Sequence, residues 1–502
     1  MKIYHNSQLP EYRTPSGAVP CGSSVRLSIK AADCGTDYTC ELNLWQEDCG
    51  DLRFPMEKQI MDDGSLCFTV CVNVTQTPSL CWYYFLLKGS GQQIYYGNNS
   101  RQLGGEGQIW DQVPPAFQIT AYQPAVVPDW YKSSVVYQIF PDRFSRSEDW
   151  MQRQAAADKG PDWKGPARVV LQNWNDTPFY TKNSRGEITR WAFFGGTLEG
   201  IREHLFYLKS MGAGAIYLNP IFSAASNHKY DTADYQQIDP SFGTDEDFHR
   251  LASDAKRLGI RLILDGVFNH TGADSIYFNR YGNYPDPGAC QGDDSPYYKW
   301  FRFSRFPDQY QCWWGVEDLP DVEEQNPDYQ KFIYEGEDSV VRRWLREGAS
   351  GWRLDVADEL PDSFIQGIRG AIRQTNREGL LLGEVWEDAS NKVSYGIHRR
   401  YLLGDELDGV MNYPMREALL SFMLGKQSAD DAVRQLRSLA ENYPPENFYS
   451  CLNLIGSHDR PRILTLLGDP PPNLTDPEKE EYRLPEDKLR LAKNRLKGLS
   501  LL

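Results

Sequence analysis

The stretch RLILDGVFNH, residues 261–270, runs from a short apolar segment into a carboxylate, an amide and an imidazole. GWRLDVADE at 351–359, GLLLGEVW at 379–386 and CLNLIGSHD at 451–459 repeat the plan: an apolar run, then ionisable residues at its end. Three further segments, VVYQIF at 135, GAIYLNP at 214 and LDGVMNYP at 407, have the same apolar character. Amphipathic runs such as Asp245 to Leu258 and Val340 to Glu347 lie between them. Near-continuous apolar strands alternating with helices predict a parallel sheet covered on both faces. Seven such strands over more than 300 residues point to a (β/α)8 barrel rather than an open sheet.

Working outward, Val25 to Phe117 carries short alternating runs (VRLSI, CELNLW, LCFTVCVNV, LCWYYFLL, QIYYG) separated by turn residues, the pattern of an antiparallel β-sandwich. AYQPAVVPDW, residues 121–130, reads as a linker. The expected organisation is an immunoglobulin-like sandwich over 1–122 and a barrel over 123–502. Residues 271–325 should form an excursion over the barrel mouth, because that connection is too long for an ordinary loop. A stretch at 468–488 reads as an acidic, proline-broken loop.

Composition removes several classes of function. The 502 residues include 69 acidic and 53 basic side chains, and a net charge of −16 repels a phosphate backbone, so nucleic acid is not an expected partner. The longest apolar stretch, Leu80 to Leu87, is far shorter than the roughly 20 residues that cross a bilayer. MKIYHNSQLPEYRTP lacks the apolar core of a secretory signal, so a cytoplasmic location is expected. Seven of ten cysteines (Cys21, Cys34, Cys40, Cys49, Cys67, Cys71 and Cys81) fall in the first 81 residues with no CxxC pair. Reduced thiols buried in the core are the expectation. Aromatics make up 13% with 14 Trp; most should be core, though flat rings also suit the apolar faces of sugars.

In a barrel the C-terminal strand ends converge on one mouth, so Asp265, Asn269 and His270, Arg353 and Asp355, Glu384, and His458 and Asp459 should meet. Any one of these carboxylates alone reads as a helix cap; four strands doing the same thing do not. Cleaving a glycosidic bond with retention needs an ionised carboxylate that attacks the anomeric carbon and a protonated one that donates to the leaving oxygen. Arg353 lies two residues before Asp355 on one strand, hence on the same face, and its charge should hold Asp355 ionised as nucleophile. Glu384, flanked by Val385 and Trp386, should stay protonated as the acid. His270 and His458 supply donors for sugar hydroxyls, and Asp459 is a third carboxylate able to grip the ring.

DGVFNH (265–270), GWRLDVADE (351–359), GEVW (383–386) and NLIGSHD (453–459), in this order, resemble the four signature regions of the retaining α-amylase superfamily, glycoside hydrolase family 13. The resemblance runs from about Ser134 to Asp459. It implies Asp355 as nucleophile, Glu384 as acid/base and Asp459 as transition-state stabiliser. It places Arg353, His270 and His458 at the cleaved sugar, with Trp386 beside them, Asp265 orienting the arginine and Asn269 in a structural role. Tyr230 in NHKYDTADY resembles the tyrosine that stacks beneath that sugar. The sandwich, YQIFPDRF, NHKYDTADY and GEVWEDAS look most like the neopullulanase, cyclomaltodextrinase and maltogenic amylase branch. That implies an α-glucan oligosaccharide substrate with α-1,4 and α-1,6 bonds, no required cofactor, and a homodimer through the N-terminal domain. Glycosyl transfer to a sugar, or carbohydrate binding without catalysis, are the alternatives on the same fold.

Three departures stand out. SRSEDWMQRQ after PDRF lacks the Asn/Gly/Asp-rich calcium loop common in this branch, so calcium is not expected there. LPDVEEQNP (319–327) replaces an MPKLN-like segment, which leaves bond preference open. NRLKGLSLL resembles the helix after a seventh strand, so a longer parent protein carrying an eighth strand and a C-terminal β-domain is expected.

Overall fold

The computed structural model describes residues 1–47, 49–160 and 162–500. Ser24–Ala32 (SVRLSIKAA) buries Val25, Leu27, Ile29 and Ala31, every second residue, as a half-buried strand must. It pairs with Lys2–Tyr4, Arg13–Thr14 and Leu66–Asn73, and Leu66–Asn73 pairs with the exposed edge strand Glu57–Ile60. A second sheet is built on Ser79–Gly89, flanked by Thr39–Gln46, Gln92–Gly97 and Phe117–Tyr122. Leu42, Phe68, Phe85 and Phe117 from the two sheets share one core. One pair departs from the antiparallel expectation: Val19–Pro20 runs parallel to Phe117–Tyr122. The cysteines also differ from the expectation. Cys40 and Cys81 are buried, but Cys49 and Cys71 are exposed, because their strand and turn positions point outward.

The barrel sheet has six parallel strands among the described residues, in chain order: Val135–Ile139, Ala213–Leu218, Arg261–Gly266, Gly351–Leu354, Leu380–Gly383 and Gly409–Val410. Helices cover the outer face. Asp245–Arg257 starts on a Thr244–Asp247 capping box, Asp362–Thr375 follows Pro361, and both bury an apolar stripe including Phe248, Leu251, Ile365 and Ile368. Inside the sheet Ala215, Tyr217, Ile263, Leu380 and Leu382 pack together, with Val127 and Tyr131 in the same cluster.

The seventh segment does not form the expected strand. Leu452 donates to Val410 O and accepts from Asn412 N, both at 2.9 Å, and pairing stops there. The partner strand is only two residues long, and Asn412 caps helix Tyr413–Met423, whose first turn holds Pro414, so no ladder remains to extend. The 468–488 stretch also differs from a plain loop: Thr475 begins helix Asp476–Glu481. A three-stranded sheet over Ala167–Val170, Tyr180–Lys182 and Ile188–Phe193, between the first two barrel strands, carried no sequence signal strong enough to predict.

Residues 271–325 leave the barrel at His270 and return antiparallel to it at Asp321, around an aromatic cluster of Phe278, Phe301, Phe303 and Tyr310. The sandwich meets the barrel through Arg13, fully buried, whose Nη1 lies 3.0 Å from Glu441 Oε1 and donates to Gln118 O at 2.9 Å. Arg13→Ala leaves the Glu441 carboxylate buried with no opposing charge, so unfolding free energy should fall by about 3 kcal/mol. Urea unfolding reads this; an unchanged midpoint would show that the pair adds nothing to the packing of the two parts.

Candidate active site

Strand register builds the site. Asp265 and Arg353 are direct partners on neighbouring parallel strands, and so are Leu354 and Gly383, the residues preceding Asp355 and Glu384. The ladder carries on past the strand ends: Asp355 N donates to Gly266 O at 3.1 Å and Glu384 N to Leu354 O at 3.0 Å. Two carboxylates are thereby held side by side at the barrel mouth.

Arg353, fully buried, lies between them. Its Nη1 donates to Asp265 Oδ1 at 2.8 Å and to Asp355 Oδ1 at 2.7 Å, and Nη2 sits 3.1 Å from Glu384 Oε2. Nη2 makes no well-directed hydrogen bond, so its contact with Glu384 is one of charge. The Asp265 Oδ2 atom accepts from the hydroxyls of Tyr217 and Tyr230. Glu384 accepts from Val356 N at 2.9 Å and Trp386 Nε1 at 3.1 Å. The apolar surroundings expected of Glu384 are therefore replaced by two N–H donors and a guanidinium, because Trp386 turns its polar edge toward it.

The electrostatics differ from a simple ion pair. Burial pushes the Asp355 carboxyl well above the usual carboxylate range; the Arg353 charge opposes this, while Glu384 and Asp265 add to it. One guanidinium faces three carboxylates, so the Arg353 charge that favours an ionised Asp355 acts against burial and two like charges. Arg353 itself loses from burial but is raised by Asp265, Tyr217 and Glu384, and stays charged.

His270 Nδ1 lies 3.2 Å from Asn269 Oδ1, and Asn269 Nδ2 donates to Glu324 Oε1 at 3.1 Å. Nε2 is buried and makes no well-directed hydrogen bond. Burial lowers His270 to about 4, so the ring is neutral. Gln138 Nε2 donates to Asn219 Oδ1 at 3.0 Å and approaches His458 Nδ1 at 2.9 Å. An amide N–H only donates, so His458 carries its hydrogen on Nε2, which lies 3.2 Å from Asp459 Oδ1. Burial, then the Arg353 charge, lowers His458 to about 4.

Tyr230 stacks on His458 at 5.2 Å and 7°. Trp386 stacks on Tyr413 at 4.2 Å and 3°, and the Arg460 guanidinium lies 4.1 Å from its ring centre, so its flat faces are already engaged. Asp459 is the least enclosed of the three carboxylates, with about a third of its side chain exposed. Tyr217, Asn219 and Gln138 escaped sequence reasoning; their one signal was position, at the ends of the first two barrel strands.

Burial, followed by the Glu384 charge, raises Asp459 to about 6. Between about 4 and 6 the native state therefore keeps a proton that the unfolded chain has released, so stability falls as pH rises through this window and levels off above it. Asp459→Asn abolishes that loss. Its urea midpoint should gain on the wild type between pH 4 and pH 7; parallel midpoint curves would show that Asp459 does not titrate in this way.

A family description, "Alpha amylase, catalytic domain", matches residues 138–482. The chain belongs to the α-amylase family. It is similar to an amylopullulanase of Thermoanaerobacterium saccharolyticum, 39% identical over 98% of this chain and 40% of that protein, and so spans well under half of that relative's length. A cyclomaltodextrinase of Geobacillus thermopakistaniensis is 33% identical over 77% of this chain and 60% of its own. The solved cyclic α-maltosyl-(1→6)-maltose hydrolase of Arthrobacter globiformis, in complex with maltose, superposes with a TM-score of 0.56 at 33% identity, covering 68% of this chain and 69% of that one. No helix among the described residues is long and apolar enough to cross a membrane.

Proposed function

We propose that this chain hydrolyses α-glucosidic bonds of maltodextrins with retention, through a covalent glycosyl intermediate on Asp355. The observation that carries the reading is the single buried guanidinium of Arg353 bridging two carboxylates at matched strand ends. Retaining glycosidases need such a pair, about 5 to 5.5 Å apart. In the first step Asp355 Oδ attacks the anomeric carbon as that carbon's bond to the glycosidic oxygen breaks, and Glu384 delivers its proton to the departing oxygen. In the second step Glu384 takes a proton from water, the hydroxide displaces Asp355, and both carboxyls return to their starting states.

Arg353 neutralises part of the charge that Asp355 recovers on release. Asp265, held by two tyrosine hydroxyls, aims Arg353. Trp386 aims Glu384 through its N–H. Asp459, His458, His270 and Tyr230 hold the hydroxyls and face of the cleaved sugar, with Asp459 gripping hardest as the ring flattens. The relatives, an amylopullulanase, a cyclomaltodextrinase and a hydrolase of a cyclic α-maltosyl-(1→6)-maltose, support α-1,4 and α-1,6 bonds as the substrate class.

The test is release of reducing ends from maltotriose, a cyclomaltodextrin and pullulan by this chain. New reducing ends on any of the three support the reading. Silence on all three from a folded chain contradicts it, and would favour carbohydrate binding without catalysis.

A further inference from the structure

The segment SRSEDWMQRQ, which follows the first barrel strand, holds a cation that the chemistry above does not use. Arg146 is half-buried, and its guanidinium gives three N–H groups to three backbone carbonyls: Nε to Phe194 O at 2.6 Å, Nη1 to Gln172 O at 2.9 Å and Nη2 to Leu171 O at 2.6 Å. The same group lies 3.8 Å from the centre of the Trp150 ring and 5.2 Å from that of Trp174, so two aromatic faces also favour its charge.

The carbonyls converge because of the strands that precede them. Ala167–Val170 and Ile188–Phe193 run parallel, and Leu171 N carries the ladder on to Phe193 O at 2.9 Å, so the carbonyls just past both strand ends come together. Acceptors gathered in this way need a cation or a set of donors among them. Trp150 seats directly on the turn that follows Phe194: a Cβ at Gly195, whose φ is 80°, would lie 2.5 Å from its ring.

Calcium, common at this loop in the branch the chain resembles, does not fit the residues present. A calcium ion takes roughly six to eight oxygen ligands, carboxylates prominent among them. The carboxylate of Asp142, fully buried, accepts the Phe194 and Gly195 N–H groups, each at 3.0 Å. Asp149 accepts the Ser147 hydroxyl at 2.6 Å and Arg153 Nε at 2.8 Å. The three carbonyls face Arg146, whose positive charge repels a second cation. No group of three or more His, Cys, Asp or Glu among the described residues could hold a metal ion.

The pinned segment reaches the site. Ala192, two residues before Phe194, accepts Asn227 Nδ2 at 2.8 Å, and the Trp191 ring meets the His228 ring edge-on at 5.0 Å. Asn227 and His228 belong to the loop that carries Tyr230.

We propose that Arg146 is a built-in structural cation, whose three-way grip on Leu171, Gln172 and Phe194 takes the place of a bound metal ion and holds the 167–197 segment against the Tyr230 loop without any divalent cation. The experiment is hydrogen exchange read by mass spectrometry over 167–197, with 351–354 in the barrel sheet as the internal reference. The intact chain is measured with EDTA and with added calcium, and Arg146→Met and Arg146→Lys are measured beside it. Exchange in the intact chain should be the same in EDTA and in calcium. Arg146→Met keeps the stem but loses charge and donors, and should speed exchange over 167–197 about tenfold or more, the scale of lost charge-assisted hydrogen bonds, while 351–354 stays as in the intact chain. Arg146→Lys keeps the charge without the fork and should recover only part of that protection. Faster exchange of the intact chain in EDTA, reversed by calcium, would show that a metal holds the segment and overturn the proposal. Intact-chain rates in both variants would overturn it as well, by showing that the guanidinium holds nothing. None of these arms reads glucan hydrolysis, so their failure leaves the α-glucan reading where it stands.

Discussion

Asp355→Asn should reduce turnover of maltotriose by about 10⁴-fold or more, the scale on which loss of a nucleophile acts. The amide is nearly the shape of the carboxylate, and its oxygen can still accept from Arg353 Nη1, so the site keeps its geometry. What disappears is the charge that attacks the anomeric carbon. The same substitution should leave the fold at least as stable at neutral pH, because burial and the Glu384 and Asp265 charges oppose an ionised group at this position. Measured together, kcat and the urea midpoint should move in opposite directions or the midpoint should stand still. Residual turnover within tenfold of wild type would remove Asp355 from the role of nucleophile.

The second large effect is at Arg353. Arg353→Ala strips the positive charge from Asp265, Asp355 and Glu384 together, and the side chain lost is fully buried. Truncating one partner of a buried ion pair typically costs about 3–5 kcal/mol. The carboxylates left behind can relieve their repulsion by taking up protons, so the loss should be larger at pH 7 than at pH 5. Turnover should fall about 10³-fold or more, since the group that neutralises Asp355 on release is gone. Arg353→Lys should recover little, because an ammonium has no fork to reach the Asp265–Asp355 side and Glu384 at once. Equal stability losses at the two pH values would contradict the charge argument.

How much of this was legible in the sequence follows from which contacts are local. Arg353 and Asp355 lie on one strand two residues apart, so alternation alone places them on a common face. The apolar runs before Asp265 and Glu384 mark their strand ends in the same way. The sandwich showed itself through alternation, and its single parallel pair did not, because Val19–Pro20 is too short to carry a pattern. The seventh segment is apolar enough to read as a strand, yet its neighbour ends after Val410 at a capped, proline-started helix. Pairing depends on that neighbour, which no local pattern reveals.

The same distinction runs through the site. The faces of Trp386 are taken by Tyr413 and Arg460, from other segments, and Gln138 sets the His458 tautomer from over 300 residues away. Charge type was visible in advance, whereas burial, which lifts Asp355 and Asp459 and lowers His270 and His458, needed the fold.

The central claim is double displacement at Asp355, and its most direct test is proton NMR of the first products formed from maltotriose or a cyclomaltodextrin, recorded before the anomers equilibrate. Product appearing first as the α-anomer, with no product from the Asp355→Asn chain, is the predicted result. Product appearing first as the β-anomer would mean a single displacement by water and would contradict the account.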